Sequence, residues 1–320
     1  MTTAEAIKNL TEAVSGAEQP QVSKTVDALR NLFVALGGPA EDVANVSTIP
    51  EMINKLAIQT EDANYLEMFS GIIDRSIKKA VIPDSVDSIG SYAFQDCILL
   101  TSVQIPESVA EIKEGAFYNC SELVDAAIPG LVDEIGSSAF KGCTKLKTTI
   151  PQTVKTFGNN SFYGCAGIEG DLTITNGANV GGSAFQGCAS IESVVIGENS
   201  TVGGNAFQSC TGLKSAVLRS GCTPAANAYR MFSGCTSLER AVLEEGCTQT
   251  VGYMFADCTS LREVYLPSTM GQTGINPSTF TGNNSGADLH IYCAFGQNDA
   301  TGAPWGATNA TIVYNYTPSE

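Results

Sequence analysis

Histidine is nearly missing from this chain: 320 residues contain one, His290. With a single imidazole the commonest general base is scarce, and zinc sites that need histidine ligands are excluded. Basic side chains are few as well, 17 Lys and Arg against 33 Asp and Glu, for a net charge of −16. A surface this acidic repels phosphate backbones, so nucleic acid is excluded as a partner, and no basic run offers an electrostatic membrane anchor. No stretch reaches the roughly 18 apolar residues of a membrane span, so no insertion is expected. Met1-Thr2-Thr3-Ala4-Glu5 has neither a positive n-region nor an apolar h-region, so a soluble chain made outside the general export route is expected. Cys-x-x-Cys does not occur, and pairs such as Gly203-Gly204 lack the Lys-Ser/Thr partner of a phosphate loop. The acid pair Glu244/Glu245 reads as solvated turn charges and not as a glycosidase dyad. No catalytic residue, metal or cofactor is assigned.

What the chain does have is a period. Phe-x-x-Cys-x-x-Leu/Ile recurs at Phe94, Phe117, Phe140, Phe162, Phe185, Phe207, Phe232 and Phe255, in steps of 23, 23, 22, 23, 22, 25 and 23 residues. A unit that short cannot bury its own apolar face, so units stack and share one continuous core. In the unit from Phe94 to Ile112, the residues Ala93, Phe94, Cys97 and Leu100 fall on one stripe of a short helix. Val103 and Ile105 then alternate with Ser102 and Gln104 as in a half-buried strand, which Pro106 ends. Val109 and Ile112 cross the core toward the next unit. An α/β solenoid of about nine repeats follows, with about nine strands paired in parallel along one face.

Eight of the 11 cysteines occupy one repeat position, from Cys97 to Cys258. On a helical side, neighbouring units would lie about 10 Å apart, beyond the Cα separation of about 7 Å that a disulfide tolerates. These thiols are expected to be small buried hydrophobes. Cys222 and Cys247 sit at strand ends, where stacking is about 5 Å; they are the one pair that could bond, though free thiols are the default expectation.

Units such as Ile82-Pro83-Asp84-Ser85-Val86-x-x-Ile89-Gly90-x-x-Ala93-Phe94-x-x-Cys97-x-x-Leu100 resemble the BspA-type (Treponema-type) leucine-rich repeat over roughly residues 65–293. The resemblance implies a right-handed parallel solenoid that mediates adhesion or recognition, and it implies no chemistry. Departures occur at Thr175-Asn176-Gly177 and around Thr223–Tyr229. Residues 302–316, which contain Trp305, are similar to the closing segments of tail or fibre proteins of gut phages and prophages. Trp305 is expected to cover the last repeat, with Thr311–Tyr316 as a final strand.

Three domains are expected: a helical N-terminal assembly or attachment module (1–60), the solenoid (61–293) and a C-terminal cap (294–320). In the first, Leu29, Phe33, Leu36, Met52 and Leu56 are apolar helix positions that could join copies or dock on phage structural proteins, or else simply cap the first repeat. On the solenoid, outward strand positions form ladders. Val195, Val217, Val242 and Tyr265 make an apolar stripe flanked by Arg240 and Glu263, either a contact surface or ordinary cross-strand packing. The leading expectation is a non-enzymatic recognition protein of a phage or prophage virion, a homo-oligomer (a trimer among the possibilities), presenting the solenoid to a host surface glycan or protein. A bacterial surface adhesin is the alternative, and a glycan-degrading enzyme the least favoured.

Overall fold

The computed structural model describes residues 77–317, except 83, 85, 272–273, 284–288, 298–302 and 309. Leu29, Phe33, Leu36, Met52 and Leu56, and the helical N-terminal module expected to contain them, lie outside the described residues. In chain order the strands begin with β1 (Lys79–Val81), β2 (Ser88–Ile89), β3 (Ser102–Gln104), β4 (Glu111–Ile112) and β5 (Glu134–Ile135). β6 (Thr156–Phe157), β7 (Gly170–Ile174), β8 (Asn179–Val180), β9 (Ile191–Ile196) and β10 (Thr201–Val202) follow. The last are β11 (Ser215–Leu218), β12 (Thr223–Pro224), β13 (Arg240–Leu243), β14 (Glu263–Leu266), β15 (Leu289–Cys293) and β16 (Ala310–Tyr314).

Each coil lies on the next with equivalent residues in register: Ser193, Ser215, Arg240 and Glu263 face one another along β9, β11, β13 and β14. Every pairing is parallel, as a coil that repeats in one direction requires. Longer strands with an alternating pattern, such as Val194 and Ile196 inward and Val195 half-exposed, form a seven-stranded sheet from β7 to β16. A second seven-stranded sheet, from β2 to β12, lines another side of the coil. Its strands are two residues long, and all but β12 offer one fully or almost fully buried side chain, in a column of Ile89, Ile112, Ile135, Phe157, Val180 and Val202. The residues expected merely to cross the core therefore build a sheet of their own.

The α/β expectation is corrected: among the described residues there is no α-helix, only a 3₁₀ turn at Ser268–Met270. The reason lies in where the amides go. The N–H groups of Tyr92, Phe94 and Asp96 donate to the carbonyls of Glu114, Ala116 and Tyr118 one coil on, at 2.8, 2.7 and 2.8 Å. The intervening Ala93, Gln95 and Cys97 close three-residue turns within the coil. A helix would need every amide to bond four residues back along its own chain. The turns also need left-handed residues, and the position two after each Phe supplies them. There Asp96, Asn119, Gly142, Gly164 and Gly187 have φ of 57, 60, 81, 74 and 76°, a region tolerated by Gly and, less readily, by Asn and Asp.

Without a helix the repeats stack tightly on every side. Nine Phe rings, from Phe94 to Phe280, pile nearly parallel with centroids 5.1 to 5.8 Å apart. The 10 Å spacing expected for the cysteine column is therefore wrong, yet all 11 thiols are free and buried. Hydrogen bonding explains why cysteine sits there: Cys120 Sγ donates to the Phe94 carbonyl at 3.0 Å, Cys143 to Phe117 at 3.0 Å, and so on to Cys258 and Phe232 at 3.1 Å. The side chain is small, apolar, and still carries a weak donor. Cys222 follows the same logic at a different corner, donating to the Gly197 carbonyl at 3.1 Å, where Ser200 one coil earlier binds the Thr175 carbonyl. Alkylation of the native protein with iodoacetamide is expected to leave the column thiols untouched, with all 11 modified only after denaturation, as mass spectrometry would show.

Two irregularities have local causes. The β1–β3 pair continues only as single bridges, Ser102–Asp125 and Asp125–Lys147, before the main sheet starts at β7. The expected unbroken set of nine strands is thus split. At the break Thr148 occupies an inward position, and its hydroxyl bonds to the Ala126 carbonyl at 2.9 Å instead of packing as an apolar residue would. In the coils from Thr175 to Cys247 the Ile-Pro-x-x-Val corner loses its proline and valine, and Ala178, Cys222 and Cys247 are the buried residues at the position of Val109, Val132 and Val154. At the far end Trp305 is buried, its carbonyl accepting the Phe280 N–H at 3.0 Å, and β16 pairs with all five residues of β15.

Candidate recognition face

The outward positions of the main sheet form two adjacent columns. Ser193, Ser215, Arg240, Glu263 and His290 make one; Val195, Val217, Val242, Tyr265 and Tyr292 make the other. Parallel registration sets each side chain about 5 Å from its equivalent, which is the thickness of an aromatic stack. Tyr265 and Tyr292 accordingly stack with centroids 4.7 Å apart and planes within 9°. The Arg240 guanidinium covers the Tyr265 ring at 4.8 Å, a cation–π contact, and its Nε lies 3.5 Å from Glu263 Oε2. The Tyr265 hydroxyl donates to the same carboxylate at 3.1 Å. Partial burial and that bond raise the Tyr265 pKa, so the phenol stays neutral. Tyr316, beyond a left-handed Asn315 (φ 55°), lies across both tyrosines at 5.2 and 5.1 Å and steep angles.

Beside this stack is an open depression of about 470 Å³, walled by Arg240, Val242, Tyr265, Tyr316, Glu244 and Glu245. Neither acid is loose. Glu244 binds the Arg219 guanidinium at 3.0 Å and the Ser220 N–H at 3.2 Å. Glu245 accepts from Ser268 N, Ser268 Oγ and Thr269 N at 2.8, 2.9 and 3.3 Å. Partial burial pushes the Glu245 pKa up, but the Ser268 and Thr269 donors outweigh it and hold the carboxyl below the usual range. The pair is tied down by these bonds while it remains at the solvent-facing turn expected from sequence, Glu245 exposed and Glu244 half-buried.

Of the six face residues singled out in the sequence, Arg240, Val242 and Tyr265 line the depression, and Glu263 joins them through its bonds to Arg240 and Tyr265. Val195 and Val217 lie farther along the same ladder, half-buried against each other, where cross-strand packing accounts for them. Tyr292, Tyr316, Glu244 and Glu245 were not among those six. Tyr292 could have been found by carrying the strand alternation one coil further. Among the described residues no group of three or more His, Cys, Asp or Glu side chains could hold a metal, and no helix is long and apolar enough to cross a membrane.

The sequence pattern of the BspA type Leucine rich repeat region matches residues 67–180 and 178–290 in six copies, more than half of the chain. The chain belongs to the BspA-type leucine-rich-repeat family. Among solved structures it is similar to a leucine-rich repeat protein from Bacteroides ovatus (22% identity, 74% of this chain and 82% of that one, TM-score 0.33). It is also similar to a leucine rich cell surface protein from Faecalibacterium prausnitzii (22% identity, 72% and 83%, TM-score 0.37). A third is the leucine-rich repeat protein of T. pallidum (22% identity, 57% and 78%, TM-score 0.41). No curated protein matches. The BspA-type match spans the repeats and stops at residue 290, and no comparison links residues 302–316 to phage fibre proteins.

Proposed function

We propose that this BspA-type protein is a non-enzymatic recognition protein of a bacterial cell surface, an adhesin that engages a host protein or glycan through the main sheet. The observation that carries this reading is the stacked Arg240–Tyr265–Tyr292 column beside a 470 Å³ depression, outside a core that nine phenylalanines fill. Tyr and Arg are the side chains that most often anchor binding. Against an enzyme, Glu245 is held ionised, whereas a glycosidase acid must keep its proton near neutral pH. The virion role, the leading expectation from sequence, rests on residues 302–316; Trp305 and β16, which lie in that stretch, complete a last coil, and the family match favours the adhesin that was the alternative.

Two measurements test this. Immunolabelling of intact producing cells with an antibody against residues 77–317 is expected to mark the cell envelope; label confined to released particles would restore the virion alternative. Binding to immobilised extracellular-matrix proteins and mucin glycans is expected to fall by about tenfold or more in Tyr265→Ala and Val242→Glu, about 1.4 kcal/mol or more for a buried anchor. Val195→Glu, on the same ladder outside the depression, should bind as the wild type does. Equal loss in all three variants would place recognition elsewhere.

A further inference from the structure

We infer that β16 is the interface of a two-fold symmetric homodimer in which two copies join edge to edge into one continuous sheet. This inference stands apart from the proposed adhesin role.

The main sheet ends at β16, which pairs with β15 on one side and, among the described residues, with nothing on the other. A strand paired on one side turns alternate N–H and C=O groups outward, and natural proteins blunt such an edge with charge, proline or a bulge. β16 has none of these. Ala310-Thr311-Ile312-Val313-Tyr314 contains no charged residue and no proline, and its register with β15 runs unbroken for five residues. The inward side chains tell the same story. Leu289, Ile291 and Cys293 in β15 are fully buried, whereas Ala310, Ile312 and Tyr314, their counterparts in β16, are only half-buried. Among the described residues the core thus reaches the end of the stack with an apolar face still partly open.

Charge decides what covers it. A chain carrying −16 repels its own copies over most of its surface, and residues 303–317 contain no charged side chain at all. Two copies can meet there without opposing like charges. A two-fold axis through Ile312 sets the edges antiparallel, with Ile312 opposite itself and Thr311 opposite Val313. Those are β-branched pairs of the kind that stabilise neighbouring strands, and the contact is isologous and closes at two copies, as dimers usually do.

Sedimentation equilibrium on the full chain over a concentration series tests this. The wild type is expected to dimerise, and Thr311→Lys/Val313→Lys, which sets lysines against lysines across the axis, to weaken the dimer Kd by at least about tenfold with unchanged circular dichroism. As a gain-of-signal control, Ile312→Cys should form a disulfide-linked dimer with oxidised glutathione under native conditions, which wild type should not. A monomeric wild type at every concentration overturns the inference. So does a dimer that the double-lysine variant leaves intact while Ile312→Cys fails to cross-link, which would place assembly on another surface.

Discussion

Raising the pH from 8.5 to about 10.5 is expected to unfold this protein cooperatively, because its thiol column is stable only while protonated. Burial pushes Cys210 and Cys258 up to about 12, and holds Cys165, Cys188 and Cys235 well above the ordinary thiol range. Cys120 is raised first by its hydrogen-bonded neighbour Cys143 and then by burial. In the unfolded chain each thiol releases its proton near 8.5. Between that value and the folded pKa the folded state binds more protons than the unfolded state, so stability is full below about pH 8.5 and falls as pH rises. The slope is about 1.4 kcal/mol per pH unit for each thiol. Six thiols shifted in the same direction add their losses, which sets them against a typical folded-domain stability of about 5–15 kcal/mol. Circular dichroism against pH in the presence of reductant measures the midpoint. Cys188→Ser/Cys210→Ser keeps donors for the Phe162 and Phe185 carbonyls and removes two titrating groups, so stability should fall less steeply with rising pH than in the wild type. Undiminished stability at pH 11 in the wild type would sink the account.

The same column shows which parts of this fold a reader can see in the sequence. The spacing Phe94–Cys97–Leu100 reports that these residues share an inward face, and it does so correctly. It does not report the partners of the Phe94 and Asp96 amides, which sit 22 residues away on Ala116 and Tyr118. A short helix and a run of turns bonded to the next coil therefore leave the same apolar trace. Strand alternation is more informative: Val194 and Ile196 inward with Val195 outward place the main sheet and, through Arg240, Val242 and Tyr265, part of the depression. The second sheet escaped because strands such as Glu111–Ile112 contain one inward residue each, and one residue shows no period. Glu244, Glu245 and Tyr316 escaped for another reason. They reach the depression through corners set by left-handed Gly246 (φ 87°) and Asn315 (φ 55°), and no pattern of apolar residues marks which way such a corner turns its neighbours.

Truncating one ring in the middle of the phenylalanine stack is expected to uncouple the two halves of the solenoid. Phe185 lies 5.3 Å from both Phe162 and Phe207 and 5.3 Å from the tilted ring of Phe157, and it is fully buried. Phe185→Ala removes the contacts on both sides at once and leaves a void that backbone ladders above and below prevent from closing; the loss is about 3–5 kcal/mol. In an ordinary globular core that penalty would be shared by the whole domain. Here each coil touches only its neighbours, so it falls on the two interfaces flanking one coil. Denaturant unfolding, single in the wild type, should split into two transitions. Phe185→Leu separates the two contributions, since it keeps most of the volume but loses the aromatic faces, which are worth about 0.5–1.5 kcal/mol per pair beyond burial. If the leucine variant unfolds in one transition and the alanine variant in two, the void breaks the coupling. If both split, the stacking itself carries cooperativity from coil to coil.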